Sequence, residues 1–442
     1  MSQSKFKAFA VLSVCSALVF ASACSKAPQG ASGNPSGGSA SGGPEPKTLK
    51  IAPDAWMVEK LQLNTAVAKF KEKHPDVNVV LQPYPDKTVL ANFALQWSQN
   101  KTDADIVMVD GSQEAVQYMA KDLLLDFNKT DFFTGATAKD KFVGTALKFG
   151  DVNGFQFAIP FSLETYAINV NKKMFQEAGL TDAQGNVIQP KNWDEIYQYA
   201  KKLTKKDGNK VTQQGMTIQW GPNAQSTLIA VEQAARGSFY KDNSNVLTFD
   251  TPEMRNILSI WKKGADEGVF SIDTFTNKDA GRNNFDAGQV AMLLQSGSTA
   301  AEAEPTIGKG NSTVIPIPGS DKNGSYAFTA GIIVPKATKA PKLAVQFIQE
   351  ALMDSQVQND GATKWGKLPV INDYFDKINA EWKTNLYTII QKSVTAPFYR
   401  DYPVLDKNMP VELQNYLTGK EDLDTFIKNA EKMIDGINKN VK

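Results

Sequence analysis

A stretch that changes from an extended to a helical pattern decides the fold: Ala158-Ile-Pro-Phe-Ser-Leu-Glu-Thr-Tyr-Ala-Ile-Asn-Val-Asn-Lys-Lys-Met-Phe-Gln-Glu-Ala-Gly-Leu180. Tyr166, Ile168 and Val170 fall on one side of an extended segment, which predicts a strand. Helical spacing of apolar residues follows directly and ends at Gly179, a glycine suited to a helix C-cap. The sequence therefore predicts a strand that turns directly into a short helix.

After an insertion, a second helix is predicted over Asn192-Trp-Asp-Glu-Ile-Tyr-Gln-Tyr-Ala-Lys-Lys-Leu203. Asn192 three residues before Glu195 is typical of a capping box, and apolar residues recur at helical spacing. The whole stretch resembles the extracellular solute-binding proteins of ABC sugar importers, in which a strand ending in Asn-Lys precedes Ala-Gly-Leu and Thr-Trp-Asp-Glu. Phe285-Asp-Ala-Gly-Gln-Val-Ala-Met292 and Gly366-Lys-Leu-Pro369 resemble further segments of this family.

The resemblance implies an α/β fold of the type II periplasmic-binding-protein kind: two lobes, each a mainly parallel sheet flanked by helices, with three hinge crossings. It implies a signal peptide over residues 1–23, a lipidated cysteine and tether over 24–46, and two discontinuous lobes. Lobe I would comprise residues 47–162 and 325–371, and lobe II residues 163–324 and 372–442. The length of 442 residues also favours two domains.

The N-terminal segment predicts export. Lys5 and Lys7 precede an apolar run that suits a secretory signal. The run ends in Ala21-Ser-Ala-Cys24, which resembles a bacterial lipobox and would make Cys24 a lipidated N-terminus; ordinary cleavage after Ala23 is the alternative. The following residues are almost all Gly, Ser, Ala, Pro and Asn, so they predict a flexible tether. We expect a lipid-anchored protein on the extracytoplasmic face of the cell membrane.

Composition argues against several classes of function. Lys and Arg number 48 and Asp and Glu 47, so the net charge gives no reason to expect nucleic acid and favours a neutral partner. Both cysteines lie in the N-terminal segment, and the single histidine, His74, is expected at a helix end. The sequence lacks phosphate-loop and dinucleotide motifs. We expect no cofactor, no metal and no catalytic residue, and a monomer.

Sugar binding needs flat apolar surfaces for ring C–H faces and planar polar groups for hydroxyls. Trp56, Trp220 and Trp365 lie in loops or at strand ends and are candidate stacking residues, with core packing as the alternative for each. The tryptophans at helical positions are predicted to be core residues: Trp97, Trp193, Trp261 and Trp382.

Acidic residues at strand ends are candidates for the polar contacts. Asp54 and Asp110 follow predicted strands, whose carboxyl ends face the ligand in parallel sheets. Glu164 either meets a sugar hydroxyl or forms a salt bridge within the crossing. The resemblance adds these positions: Gln295, Gly297, Gly331, Tyr399, Arg400 and Tyr402. Arg400 could instead be a structural partner of Asp401.

The resulting hypothesis is a binding protein that captures a carbohydrate by hinge closure and delivers it to an ABC permease. An oligosaccharide is the favoured class of carbohydrate. A non-sugar solute such as a polyamine or a phosphate ester is the first alternative. A glycoside hydrolase, with Glu164 and Asp110 or Glu302 as its carboxylate pair, is the second.

Overall fold

The computed structural model describes residues 47–85, 87–221 and 223–438. The predicted signal peptide, the tether and Cys24 lie outside the described residues. Within them, none of the helices combines the length and the hydropathy that crossing a bilayer requires.

The strands, in chain order, form two main sheets and a short hairpin. They are β1 (Thr48–Ala52), β2 (Asn78–Leu81), β3 (Ile106–Val109), β4 (Asp151–Val152), β5 (Phe155–Gln156), β6 (Ile159–Pro160), β7 (Glu164–Asn171), β8 (Lys205–Asp207), β9 (Lys210–Ile218), β10 (Phe270–Ser271), β11 (Val290–Ser296), β12 (Ser312–Ile315), β13 (Ala327–Phe328) and β14 (Gly331–Ile333). The first sheet has the order β2-β1-β3-β14-β6 and the second the order β10-β9-β11-β7-β12.

Helices pack around both sheets. They are α1 (Ala55–Lys60), α2 (Leu63–Lys73), α3 (Val89–Ser98), α4 (Val116–Met119), α5 (Lys172–Glu177), α6 (Trp193–Leu203), α7 (Ala224–Arg236), α8 (Pro252–Asp266), α9 (Ala280–Asp286), α10 (Thr299–Ile307), α11 (Ser320–Asn323), α12 (Pro341–Phe347), α13 (Ser355–Trp365), α14 (Glu381–Ile390), α15 (Tyr402–Leu417) and α16 (Leu423–Asn438). A π-helical turn, Ile348–Leu352, extends α12. The predicted α/β fold with two lobes is confirmed.

The chain passes from the first sheet to the second between β6 and β7, and returns between β13 and β14. Both sheets are mixed rather than mainly parallel, which corrects the prediction. β14 runs antiparallel to β3 and β6, and β7 runs antiparallel to β11 and β12. The reason is connectivity. The chain enters each of these two strands from the other lobe, and an antiparallel neighbour does not require a helical crossover.

The opening stretch folds as its pattern predicts. β7 runs directly into α5, and Gly179 follows this helix with a φ of +63°. Asn192 caps α6 by accepting a hydrogen bond from the Glu195 N–H at 2.9 Å. Every residue of β7 is buried. The start of this strand therefore carries Glu164 to the junction between the two sheets.

The apolar residues Leu61, Leu63, Ala66, Val67 and Phe70 predict one long helix that ends near His74, but the structure has two helices here, α1 and α2, and Leu61 lies between them. Gln62 adopts a left-handed conformation with a φ of +54° between the two helices. Leu61 and Leu63 are both fully buried. They would point in nearly opposite directions on one continuous helix, at about 100° per residue, so the break lets both side chains reach the core. His74 ends α2 as predicted, and its Nε2 lies 2.9 Å from the carboxylate of Glu350.

Candidate functional site

A cavity of about 720 Å³ lies between the two sheets. α1 and the loops after β2 and β3 form one wall, and the loop after β9, α9 and β11 form the opposite wall. The crossing strands β7 and β13 form its floor. The wall residues used below are Trp56, Lys60, Lys87, Asp110, Glu164, Tyr166, Gln219, Asn223, Arg282, Gln295, Ser296, Phe328 and Lys367.

We call one part of the cavity the Trp56 end, defined by Trp56, Lys60, Glu164, Arg282 and Lys367. α1 begins directly after the loop that follows β1, and Trp56 and Lys60 lie four residues apart on one face of it. Trp56 is half-buried, so part of its ring is open to the cavity. The Lys367 Nζ lies 5.2 Å from the centre of this ring, within the range of a cation–π interaction.

A buried ion pair joins the floor to the loop after α13. The Lys367 Nζ is 2.5 Å from a carboxylate oxygen of Glu164, and both side chains are less than a tenth exposed. Ser296 donates a second hydrogen bond to the same carboxylate at 2.9 Å. Gly366 makes this possible: its φ is +64°, and a Cβ there would lie 2.6 Å from the Cα of Ser298. Glu164 is thus both a salt-bridge partner and a wall residue.

Two more cations of the Trp56 end share the carboxylate of Glu302. The Lys60 Nζ lies 2.7 Å from it and the Arg282 Nη1 3.5 Å. Burial and the neighbouring Arg282 lower the pKa of Lys60, while Glu302 opposes the shift. Although burial opposes it, Arg282 and the two lysines lower the pKa of Glu302. Asp286 lies on the same helix as Arg282, α9. Burial and Glu302 raise the pKa of Asp286 to about 6.

The opposite part, the Tyr166 end, is defined by Lys87, Asp110, Glu114, Tyr166 and Asp406. It extends the cavity by about 50 Å³. Burial raises the pKa of Glu114 well above its usual value; Lys87 opposes this shift, and Asp110 and Asp406 add to it. Burial also raises the pKa of Asp406 to about 6. Although burial opposes it, the three carboxylates raise the pKa of Lys87.

Two glutamine side chains of the second lobe line the cavity and have unused hydrogen-bonding capacity. The side-chain oxygens of Gln219 and Gln295 are buried and accept no hydrogen bond from any described residue. Opposite them, Lys87 from the first lobe donates to the Asn223 side chain at 3.1 Å. The cavity therefore combines aromatic rings, amide groups and charges, and a direct hydrogen bond joins its two walls.

The structure brings four of the predicted ligand-binding residues to this cavity: Trp56, Asp110, Glu164 and Gln295. Trp220, in contrast, is a core residue, which corrects its predicted place on the ligand side. It is fully buried between Trp261 and Phe275, with ring centres at 4.7 and 5.9 Å. Its indole N–H donates to the Ser271 carbonyl at 2.7 Å. This strand-end tryptophan faces the core because the rings of Trp261 and Phe275 pack against it and the Ser271 carbonyl accepts its N–H.

Three more predicted residues serve the packing around the cavity. Asp54 is fully buried at the N-cap position of α1. A Cβ on Gly297 would lie 2.3 Å from a methyl carbon of Leu386, and one on Gly331 would lie 2.7 Å from the Ser112 hydroxyl. These two glycines permit close packing of α14 and of the loop after β3, and they do not line the cavity.

The remaining predicted residues also lie off the wall. Trp365 is half-buried behind it, with the Lys60 Nζ 4.9 Å from its ring centre. Tyr399 is buried and its hydroxyl donates to the Asn245 carbonyl at 2.6 Å. Arg400 is exposed and pairs with Asp401 at 3.2 Å, as the alternative held, and Tyr402 is fully buried.

Sequence reasoning missed most of the charged wall residues. Lys367 belongs to the Gly366-Lys-Leu-Pro369 segment, whose resemblance to the family does not indicate a role for its lysine. Lys60 could have been found from its four-residue spacing to Trp56. Lys87 and Arg282 have no distinguishing local pattern, because only the folded chain brings them to the cavity. Within the described residues, no group of three or more His, Cys, Asp or Glu side chains is placed to hold a metal ion.

Solved structures of other proteins share this fold. The GacH receptor of Streptomyces glaucescens matches with a TM-score of 0.74 and 19% identity, over 89% of this chain and 99% of that one. Maltose-bound MalE3 of T. maritima matches with a TM-score of 0.73 and 17% identity, over 88% and 99%. A Listeria monocytogenes ABC substrate-binding protein in complex with cycloalternan matches with a TM-score of 0.71 and 19% identity, over 88% and 98%.

Sequence comparison agrees with the fold. A putative binding protein of Brucella abortus is 20% identical over 379 residues, which cover 83% of this chain and 87% of that protein. Residues 65–399 match the family described as bacterial extracellular solute-binding protein. This match spans well over half of the chain, and it confirms the resemblance found in the β7–α6 region. The protein is a member of the bacterial extracellular solute-binding protein family.

Proposed function

We propose that this protein is the substrate-binding component of an ABC importer and that its cargo is an oligosaccharide. The observation that carries the proposal is the cavity of about 720 Å³, whose walls come from both lobes. Its volume falls in the range of small-molecule sites, roughly 300–1,000 Å³. A ligand held there would contact both lobes at once, so binding would favour the closed arrangement.

The chemistry of the wall fits a saccharide. Trp56 on one wall and Phe328 on the floor offer apolar ring faces, and the side chains of Gln219 and Gln295 bring amide groups to the cavity for ring hydroxyls. The related structures named above include a maltose complex and a cycloalternan complex. These similarities support a carbohydrate over a polyamine or a phosphate ester as the cargo.

Hinge closure is the proposed motion. The predicted lobe boundaries, 47–162 with 325–371 and 163–324 with 372–442, stand as part of the proposal. The hydrogen bond between Lys87 and Asn223 supports it, because the two residues belong to opposite walls. The permease would recognise the closed form, in which the surfaces of both lobes are fixed relative to each other.

Export and anchoring complete the proposal. Membership of an extracellular family is in keeping with a signal over residues 1–23. We propose that Cys24 is lipidated and that residues 25–46 tether a monomeric body to the outer face of the cell membrane. Mass spectrometry of the N-terminal peptide from membranes tests this: a diacylglyceryl adduct on Cys24 is expected, and an unmodified terminus at Cys24 contradicts it.

No covalent step is proposed. A hydrolase would need a carboxylic acid whose pKa is raised, within working distance of a second carboxylate. Arg282 and its neighbouring lysines instead lower the pKa of Glu302 against the effect of burial, and Glu164 is committed to Lys367. These contacts argue against Glu164 and Glu302 as the carboxylate pair of a hydrolase.

Thermal unfolding in the presence of a ligand panel tests the proposal. The panel comprises mono- and oligosaccharides, polyamines and phosphate esters at one concentration. A ligand at 100 times its Kd adds about 2.7 kcal/mol to the free energy of unfolding, so a true cargo should raise the melting temperature clearly. Stabilisation only by a polyamine or a phosphate ester contradicts the carbohydrate assignment. Release of shorter products from an oligosaccharide would contradict the absence of catalysis.

A further inference from the structure

The charges on the cavity wall are unequal. Five cationic and three anionic side chains line it: Lys60, Lys87, Lys278, Arg282, Lys367, and Asp110, Glu164, Asp279. The whole chain is almost neutral, with a net charge of +1, so this excess is a property of the cavity and not of the protein surface in general. The cavity is therefore a poor match for the neutral partner that overall composition favours.

The excess of positive charge is concentrated at the Trp56 end. Lys278 and Asp279 are neighbours in the chain, and Lys87 lies with Asp110 at the other end, so these charges largely offset each other. At the Trp56 end, Glu164 is the one carboxylate among the described wall residues, beside Lys60, Arg282 and Lys367. Glu302 and Asp286 do not line the cavity.

Exposure shows which charges face the cavity. The side chain of Glu302 is 3% exposed, whereas those of Lys60 and Arg282 are 18% and 24% exposed. The cations therefore lie on the cavity side and their carboxylate partner lies behind them. Burial lowers the pKa of Lys60; Arg282 and Lys367 add to this shift and Glu302 opposes it, so two further cations lie close to Lys60 besides its carboxylate partner.

Arg282 has donors available for a further anion. Its side chain lines the cavity and is 24% exposed, and the contact of its Nη1 with Glu302 is 3.5 Å long. A guanidinium group presents paired N–H donors that match the two oxygens of a carboxylate. Trp56 borders the same space and offers a face for a sugar ring that carries the carboxylate.

We infer that the cavity takes an acidic saccharide, in which a ring carboxylate of the uronic acid type binds among Lys60, Arg282 and Lys367 while its ring lies against Trp56. This inference rests on the proposed carbohydrate function. It narrows the proposed cargo from oligosaccharides in general to acidic oligosaccharides.

Calorimetry on the unmodified protein provides the main test. Uronic acid oligosaccharides of two to four rings are compared with their own methyl esters, which keep the shape and remove the charge. Neutral oligosaccharides of the same size and a sugar phosphate complete the set. Esterification is expected to weaken binding by about tenfold or more, and added salt should reduce the advantage of the acid.

The outcomes separate this inference from the proposed function. Equal binding of acid and ester, or tighter binding of neutral oligosaccharides, overturns the acidic saccharide and leaves the carbohydrate function intact. Tighter binding of the sugar phosphate overturns the carboxylate assignment. If no saccharide of either charge binds, the proposed function fails and this inference fails with it.

Arg282→Gln locates the site. In this variant the affinity for the acid should fall about tenfold or more, while the affinity for the methyl ester should change little. Arg255→Gln is the matched control, because Arg255 is paired with Asp250 on the surface of α8, away from the cavity. An unchanged ratio of acid to ester affinity in Arg282→Gln overturns the assignment. The measurement on the unmodified protein decides the question even if this variant fails to fold.

Discussion

Both ends of the cavity have carboxylates close to lysine side chains, but the pKa of Glu302 beside one end is shifted in the opposite direction to those of Glu114 and Asp406 at the other. At the Trp56 end, Glu164 and Glu302 each have a cation within 2.7 Å. At the Tyr166 end, Asp110, Glu114 and Asp406 lie around one lysine, and the pKa values of Glu114 and Asp406 are raised. Close pairing keeps a buried carboxylate ionised, whereas crowding of carboxylates favours uptake of a proton. Glu302 is therefore held in its charged form beside the Trp56 end, whereas the charge of the Tyr166 end depends on pH.

Breaking the ion pair between Lys367 and Glu164 at the Trp56 end should have the largest effect on stability. Lys367→Met leaves the carboxylate of Glu164 buried without its cation, and the free energy of unfolding should fall by about 3–5 kcal/mol. Chemical denaturation measures the loss. The double variant Lys367→Met with Glu164→Gln should recover most of it, because it contains no buried unpaired charge.

The same change at the other end sharpens the comparison. Lys87→Met should cost less stability than Lys367→Met, because Glu114 and Asp406 can take up protons when the lysine is lost. An equal loss in both variants would show that the two ends do not differ in this way.

The next effect concerns the aromatic surface of the Trp56 end. Trp56→Ala should weaken oligosaccharide binding about 10- to 100-fold, since a stacking face is lost, and should change stability little because Trp56 is half-buried. Trp220→Ala is the contrasting variant: it should lower the free energy of unfolding by about 3–5 kcal/mol, because it leaves a cavity in the core. Calorimetry and denaturation on both proteins separate the two roles. A loss of affinity in Trp220→Ala with intact stability would restore its predicted role in binding.

These two tryptophans show how far the sequence could lead. Local patterns predicted the strand-to-helix turn at β7, the Asn192 cap and the buried helical tryptophans, because spacing along the chain fixes which side chains share a face. The same patterns could not rank Trp56 above Trp220, since the sequence predicts both in segments rich in Gly, Pro, Asp or Asn. Burial of a loop residue depends on how the loop folds over its neighbours, which is a tertiary property.

The charged wall was harder still to predict. Trp56, Asp110 and Glu164 follow or begin strands, so the strand-end rule found them. Lys60, Lys87, Arg282 and Lys367 come from four separate parts of the chain and meet only in the folded protein. Net composition even pointed the other way, because a chain with almost equal numbers of cations and anions can still distribute them unevenly.

The Tyr166 end gives a prediction about the pH dependence of stability. The folded pKa of Asp406, about 6, lies above the ordinary aspartate value of about 4, so the folded protein binds the proton more tightly than the unfolded chain. The stabilisation from this group is therefore present at low pH and is lost as the pH rises from about 4 through 6. Asp406→Asn should remove this decline and add about 1–2 kcal/mol to the free energy of unfolding at pH 7 relative to pH 4.5.

Denaturation of both proteins at pH 4.5, 5.5, 6.5 and 7.5 checks the decline. Asp424→Asn provides the control, because Asp424 is exposed on the surface and contacts Arg255. A difference in the free energy of unfolding between Asp406→Asn and the unmodified protein that does not depend on pH would contradict this prediction. It would mean that Asp406 is ionised over the whole range, and that the charge of the Tyr166 end does not depend on pH.

The smallest expected effect concerns the hydrogen bond that joins the two walls at the Tyr166 end. Asn223→Ala removes the acceptor of the Lys87 Nζ at 3.1 Å. Asn223 precedes α7 but makes no side-chain capping bond, so stability should change little. One hydrogen bond contributes about 0.5–1.5 kcal/mol, which predicts a two- to tenfold loss of oligosaccharide affinity. Because this bond requires the walls to be close together, the loss should appear as faster dissociation, measured by stopped-flow tryptophan fluorescence. Asn128→Ala, which removes a surface hydrogen bond to the Gly154 carbonyl, should leave both rates unchanged. A slower association rate with unchanged dissociation would mean that the contact guides encounter instead of holding the closed form.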